Sequence, residues 1–192
     1  MITASRPLHT GRLVLTPGDA QTLVELKPLR ACLKAVGLIG GALEGCANAF
    51  EVGDRFPQLI ALTGCAVAFD TAPSDPEHAF THVTLHGPYI TPRLISGRNT
   101  RPPRCPECGK GLAAWRDWLR QQHPQPRPQL RCMHCTSAAP GWLWNWGRQG
   151  GFGRCFVCIE EVFPGEGSPL PALLDALGTL GIGDWRFFYV QD

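Results

Sequence analysis

The chain has 192 residues, 44% of them hydrophobic and 18% charged, with a net charge of only +2. That balance excludes a disordered or strongly polycationic chain, and the length buries a sizeable core without help from a metal or disulfides. No run of about 18 apolar residues offers a membrane span, and the first residues carry no apolar signal stretch, so a soluble cytoplasmic protein with reduced thiols and no membrane partner is expected.

Residues 12–16 (RLVLT) alternate and predict a strand. Pro17, Gly18 and Asp19 turn the chain into a helical stretch marked by Leu23, Leu26, Leu29, Leu33 and Val36, with Pro28 as a kink. Residues 37–54 are rich in glycine and alanine and read as irregular. Residues 59–69 form a nearly continuous apolar run, a buried strand by pattern. A turn is expected at 72–76, followed by a strand at 82–86 (HVTLH). Three prolines, Pro102, Pro103 and Pro106, open a region that also holds Pro124, Pro126 and Pro128, spaced for an extended stretch. After it, 142–146 alternates, 147–153 reads as a glycine-rich turn and 154–163 as a strand. Ser168 and Pro169 predict a helix start, with the helix running to about Leu177. Residues 184–190 close the chain as a strand.

Read in order this is β-α-β-β, an insertion, then β-α-β. The fold class expected is α+β, a ferredoxin-like layer with an inserted ribbon. The body would span 1–100 and 140–192, and the insertion 101–139.

Charge is uneven along the chain. Residues 93–131 carry nine basic side chains against Glu107 and Asp117, whereas 154–192 carry two basic against six acidic. The basic stretch coincides with the insertion. A basic stripe on a small module is one footprint of nucleic-acid contact, and it is equally a solvated surface facing an acidic segment.

The insertion also holds four of the nine cysteines in two CxxC pairs: Cys105 with Cys108, and Cys132 with Cys135. Two cysteines two residues apart can face one metal when the backbone turns tightly, and Gly109 permits such a turn. Between the pairs lie 23 residues, slightly more than the commonest spacing of about 15–20. Four thiolates close a tetrahedral shell and leave no position for water, so one structural Zn²⁺ is expected. Over residues 101–138 the double CxxC resembles the zinc-ribbon superfamily. That resemblance implies a structural metal in a module that binds nucleic acid, binds protein or serves as scaffold.

A third pair, Cys155 and Cys158, lies in a strand pattern. Residues three apart on a strand face opposite sides, so neither one metal nor a redox disulfide is expected there. His82 and His86 would share a strand face about 13 Å apart, too far for one ion. Trp142, Trp144 and Trp146 either pack between ribbon and body or offer faces to unpaired bases. The sequence holds no nucleophile elbow, no Walker A loop and no HExxH, and Glu160 and Glu161 face opposite sides of a strand.

The expectation is therefore a non-catalytic zinc-binding interaction protein with a protein partner. A nucleic-acid-binding protein using Arg98, Arg101, Arg104, Arg116, Arg120, Trp115 and Trp118 is the alternative, and an enzyme without a recognisable motif is the third reading.

Overall fold

Residues 11–63, 80–120 and 129–192 are described by the structure, a computed structural model. The turn expected at 72–76, the end of the strand expected at 59–69 and the proline-rich stretch around Pro126 lie outside these residues.

In chain order the elements are β1 (Arg12–Pro17), α1 (Leu26–Ala35), β2 (Ile39–Ala42), β3 (Ala49–Val52), α2 (Phe56–Leu59), β4 (Ile60–Leu62), β5 (His82–His86), β6 (Arg93–Ser96), α3 (Trp115–Arg120), β7 (Leu130–Arg131), β8 (Ala138–Ala139), β9 (Gly150–Gly153), β10 (Phe156–Glu160), β11 (Gly167–Pro169), α4 (Pro171–Gly178) and β12 (Trp185–Val190). This mixture of strands and short helices fits the α+β class. No described helix is long and apolar enough to cross a membrane.

One six-stranded sheet organises the body, in the order β12-β1-β10-β5-β3-β2, with each neighbouring pair antiparallel. Alternation sorts its side chains. Leu13, Leu15, Val83, Leu85, Val157 and Ile159 point to one face and pack beneath Leu29 and Leu33 of α1 and Leu173 and Leu177 of α4. Val14, Phe156, Cys158, Phe188 and Val190 occupy the reverse face. There the two-stranded β6–β9 sheet lies against them: a Cβ on Gly151 would stand 2.7 Å from Phe188 Cε1.

Several elements differ from the sequence expectation. The helix begins at Leu26, so Pro28 falls in its first turn, where proline is tolerated, and produces no kink. Its end is set by Gly37 at φ +80°. The Gly37 N–H donates to Lys34 O (3.1 Å) and Leu38 N–H to Leu33 O (3.0 Å), a glycine-terminated double cap. Beyond it, the stretch expected to be irregular forms the β2–β3 hairpin, because Ile39 and Phe50 gain burial in the helix-side core that outweighs weak local propensity. Of the long strand expected at 59–69, Leu59 lies in α2 and Ile60–Leu62 forms β4, paired with β11 in a small separate sheet. Ser168 and Pro169 therefore serve a strand, and the helix starts two residues later at Pro171. The glycine-rich turn is half strand: Gly150–Gly153 pairs with β6, with Gly151 and Gly153 where Phe188 and Thr16 leave no room for a side chain and Phe152 in the tryptophan cluster.

Cys155 and Cys158 do face opposite sides, the first in the helix-side core and the second on the reverse face, both fully buried. Burial pushes the Cys155 thiol up to about 12 from its ordinary value of 9.0. The folded state thus keeps this proton while the unfolded chain releases it above about pH 9. The protonated thiol's contribution is complete below that pH and declines as pH rises towards 12, by about 1.4 kcal/mol per pH unit. Unfolding titrations across this window should show a shallower alkaline decline in Cys155→Ala than in the parent chain. Equal slopes in the two proteins would exclude this thiol as a source of alkaline instability.

Candidate metal centre

Between β5 and β10 the chain runs out and back through a series of nested pairings. His86 faces Phe156, Ser96 faces Gly150, Arg104 bridges Asn145, and Leu130 faces Ala139 at the far end. Cysteine turns sit near that far end. In the first, Cys105 N–H donates to Lys110 O (2.9 Å) and Gly109 N–H to Cys105 O (3.0 Å), with Gly109 at φ +70°. In the second, Cys132 N–H donates to Ser137 O (2.8 Å), and Thr136 occupies the position of Gly109, at φ +60°. A left-handed β-branched residue costs about 1–2 kcal/mol. The second turn keeps it because the same closure aims both thiols inward, and the Thr136 hydroxyl donates to Cys135 O (2.7 Å).

These turns bring the four sulfurs within 4.8 Å of one another. Cys105 Sγ lies 3.7 Å from Cys135 Sγ, and Cys108 Sγ lies 3.6 Å from Cys132 Sγ. A disulfide would need about 2.05 Å. Four sulfurs at about 2.3 Å from one central ion stand about 3.8 Å apart, which matches both contacts. Around them the protein supplies donors. The Ser137 hydroxyl lies 3.0 Å from Cys135 Sγ and 3.3 Å from Cys105 Sγ, and His134 N–H donates to Cys132 Sγ (3.4 Å). Desolvation raises the Cys105 thiol, but Ser137 and the backbone N–H groups of Cys108 and Glu107 outweigh it and bring it down to about 6. Cys108 moves the other way, up to about 12: a backbone N–H at Lys110 lowers it, and desolvation with the neighbouring thiols overrides that. Like charges this close cannot all ionise without a cation among them. The donor set therefore fits a metal ion.

Behind the sulfurs lies a core of its own. Cys105, Cys132, Leu112, Trp115, Leu130, Trp144 and Trp146 pack together and reach Ala20 and Phe152 of the body. Trp115 and Trp146 meet edge to face at 5.6 Å, and Trp146 N–H donates to Gly141 O (2.9 Å). Trp144 and Trp146 are thus core residues, in a turn and an extended stretch and not the strand expected at 142–146. Of the two tryptophans expected to contact a macromolecule, Trp115 is only 2% exposed and Trp118 is half-buried against the same cluster.

The basic residues separate into two groups. Arg116 is structural: it stacks on Trp115 at 4.6 Å and donates to Arg98 O (3.1 Å) and Thr100 O (3.2 Å). Arg120 pairs with Asp117 at 2.8 Å on the exposed side of α3. Arg98, Arg101 and Arg104 expose their side chains. The sequence reading passed over Ser137, although its place two residues after Cys135 mirrors that of Lys110 after Cys108.

A second group, His86, Cys158 and Glu160, also brings three donor atoms within 4.8 Å on the reverse face of the sheet. Its carboxylate is already engaged: Arg12 Nε lies 3.6 Å from Glu160 Oε2, and the Thr84 hydroxyl donates to Glu160 Oε1 (2.8 Å). Desolvation, then the charge of Glu160, pushes the Cys158 thiol up, which keeps it protonated. A guanidinium beside the carboxylate opposes a divalent ion, so this cluster reads as a closed polar network. Searches of the chain against family models, curated proteins and solved structures find no match.

Proposed function

We propose that this chain is a non-catalytic interaction protein in which one Zn²⁺, held by Cys105, Cys108, Cys132 and Cys135, fixes a basic ribbon (101–139) on an α+β body (1–100 and 140–192). The observation that carries the reading is the pair of sulfur contacts at 3.6 and 3.7 Å, the edge length of a tetrahedral four-thiolate shell. Thiolates select soft ions, and a four-sulfur tetrahedron suits zinc or iron. With every position filled by sulfur, zinc has nowhere to hold a water molecule and cannot generate a hydroxide nucleophile. Its work is to fold the ribbon.

The body reads as a ferredoxin-like layer. β10 and β12 both run antiparallel to β1, which lies between them, and α4 connects the two. That is a split βαβ unit, here extended at its far edge by the β2–β3 hairpin.

Elemental analysis of purified protein should find one zinc per chain. No metal at all would remove the reading. Iron in its place, visible as a coloured protein, would replace a scaffold with an electron carrier.

A further inference from the structure

Two open cavities flank the segment that leads into the first cysteine turn. One, of about 360 Å³, runs from Arg101 and Arg104 across Asn145 and Gly147 to Arg148. The other, of about 350 Å³, runs from the same Arg101 and Arg104 to Lys110 between Gly109 and Gly111. The shared wall follows from the pairing, since the Arg104 backbone bridges Gly111 on one side and Asn145 on the other. The result is a trough of two adjoining cavities that share Arg101, Pro102 and Arg104 and together carry four cations, Arg101, Arg104, Lys110 and Arg148, all exposed. No acidic residue lines either cavity, and no described carboxylate forms an ion pair with any of the four. Arg148 is held in place by stacking over Phe187 at 4.8 Å.

Four cations without a carboxylate partner, gathered on two adjoining cavities, ask for several anions. An acidic protein surface would bring carboxylates, but a protein interface also takes energy from aromatic or aliphatic anchors set into pockets. The one large apolar side chain lining the trough, Trp146, is 5% exposed and offers no such anchor. Single-stranded nucleic acid would seek aromatic faces for its bases, and the rings of Trp115, Trp144 and Trp146 are closed into the core. What the trough matches is a phosphate backbone whose bases stay stacked on each other.

We propose that the trough of Arg101, Arg104, Lys110 and Arg148 binds the phosphate backbone of duplex nucleic acid without reading its sequence, and that the metal governs this binding. The second clause rests on the zinc reading. Lys110 O accepts from Cys105 N–H (2.9 Å), so the turn that wraps the ion also places Lys110 on the trough wall.

The test is fluorescence anisotropy with a short mixed-sequence DNA duplex over a range of salt concentrations, with zinc content measured on each sample. Neutralising four phosphates gives a slope of about −3.6 in log K against log salt, at about 0.9 per phosphate. Arg101→Ala and Arg148→Ala should each flatten the slope by about 0.9, with zinc content unchanged. Arg30→Ala, on the exposed side of α1, should leave it unchanged. Chelation should abolish binding by the parent chain. Zinc-loaded protein that ignores the duplex, or variants with the parental slope, would overturn the proposal while leaving the zinc reading intact. Binding that survives chelation would overturn the metal clause alone. Displacement of the duplex by polyglutamate at equal charge would assign the trough to an acidic protein instead. Protein that lacks zinc would remove the underlying reading before any duplex is added.

Discussion

Cys105→Ser should lose its zinc and melt the insertion while the body remains folded. Structural zinc contributes an apparent 10–16 kcal/mol to small domains, about as much as the whole stability of many proteins. Residues 101–139 have nothing of that size to fall back on: among the described residues their core is two cysteines, Leu112, Trp115, Leu130 and the two tryptophans that follow the ribbon. The consequence is optical as well as chemical. Trp115, Trp144 and Trp146 pack in the same cluster as Cys105 and Cys132, so their emission should shift to the red as the cluster opens. Amide exchange should accelerate across the two cysteine turns and stay slow in β1 and β10, which belong to the separate helix-side core. Cys46→Ser, an exposed thiol far from the centre in sequence, should change nothing. Ala20 and Phe152 connect the ribbon cluster to the body, so cooperative loss of the whole chain on chelation would show that this connection, and not the local cluster, is the unit of stability.

Gly153→Ala should also destabilise the chain, by less and for a reason unrelated to the metal. Its Cβ would fall well inside contact distance of Thr16 Oγ1 and stand 3.0 Å from Phe156 Cε1. Neither neighbour can retreat: both are fully buried, and the Thr16 hydroxyl is tied to Cys155 O at 2.8 Å. Overpacking of this kind costs about 1–3 kcal/mol, and a chain of this size loses about 2–4 °C of Tm for each kcal/mol. The β6–β9 pair should lift from the sheet, exposing Phe188 and Phe156. Removing the obstacle tests the cause: in a Thr16→Ala background the glycine substitution should cost measurably less, since neighbouring changes couple. Strictly additive effects would place the damage elsewhere.

How much of this was legible from sequence depended on whether a signal was local. The clustering of the four cysteines was, because CxxC spacing encodes a turn directly. The opposed thiols of Cys155 and Cys158 were, because alternation fixes the face of a strand. The β2–β3 hairpin was not: its Gly- and Ala-rich residues have little preference of their own, and only the burial of Ile39 and Phe50 against distant elements makes them a strand. The strand role of Gly150–Gly153 was hidden for the opposite reason. Glycine there answers to Phe188 and Thr16, residues remote in sequence. The fate of the arginines was hidden too, since composition shows a basic stretch but cannot separate Arg116, stacked on a tryptophan, from Arg101 and Arg104 on the trough.

The nested pairings also set an order of events. β5 and β10 are neighbours in the sheet, yet 69 residues separate His86 from Phe156. Bringing those ends together directly means closing one long loop before any contact rewards it, the situation that slows folding in proteins dominated by distant pairings. On the proposed zinc reading, capture of an ion by the two cysteine turns would shorten the task, because only 23 residues lie between Cys108 and Cys132. From that point Arg104 and Asn145, then Ser96 and Gly150, then His86 and Phe156 can close in turn, each step a few residues beyond the last. The ion is then the starting knot of a zipper that runs inward to the centre of the sheet. Metal present during synthesis should then speed assembly of the six-stranded sheet, even where the finished sheet stays folded without it.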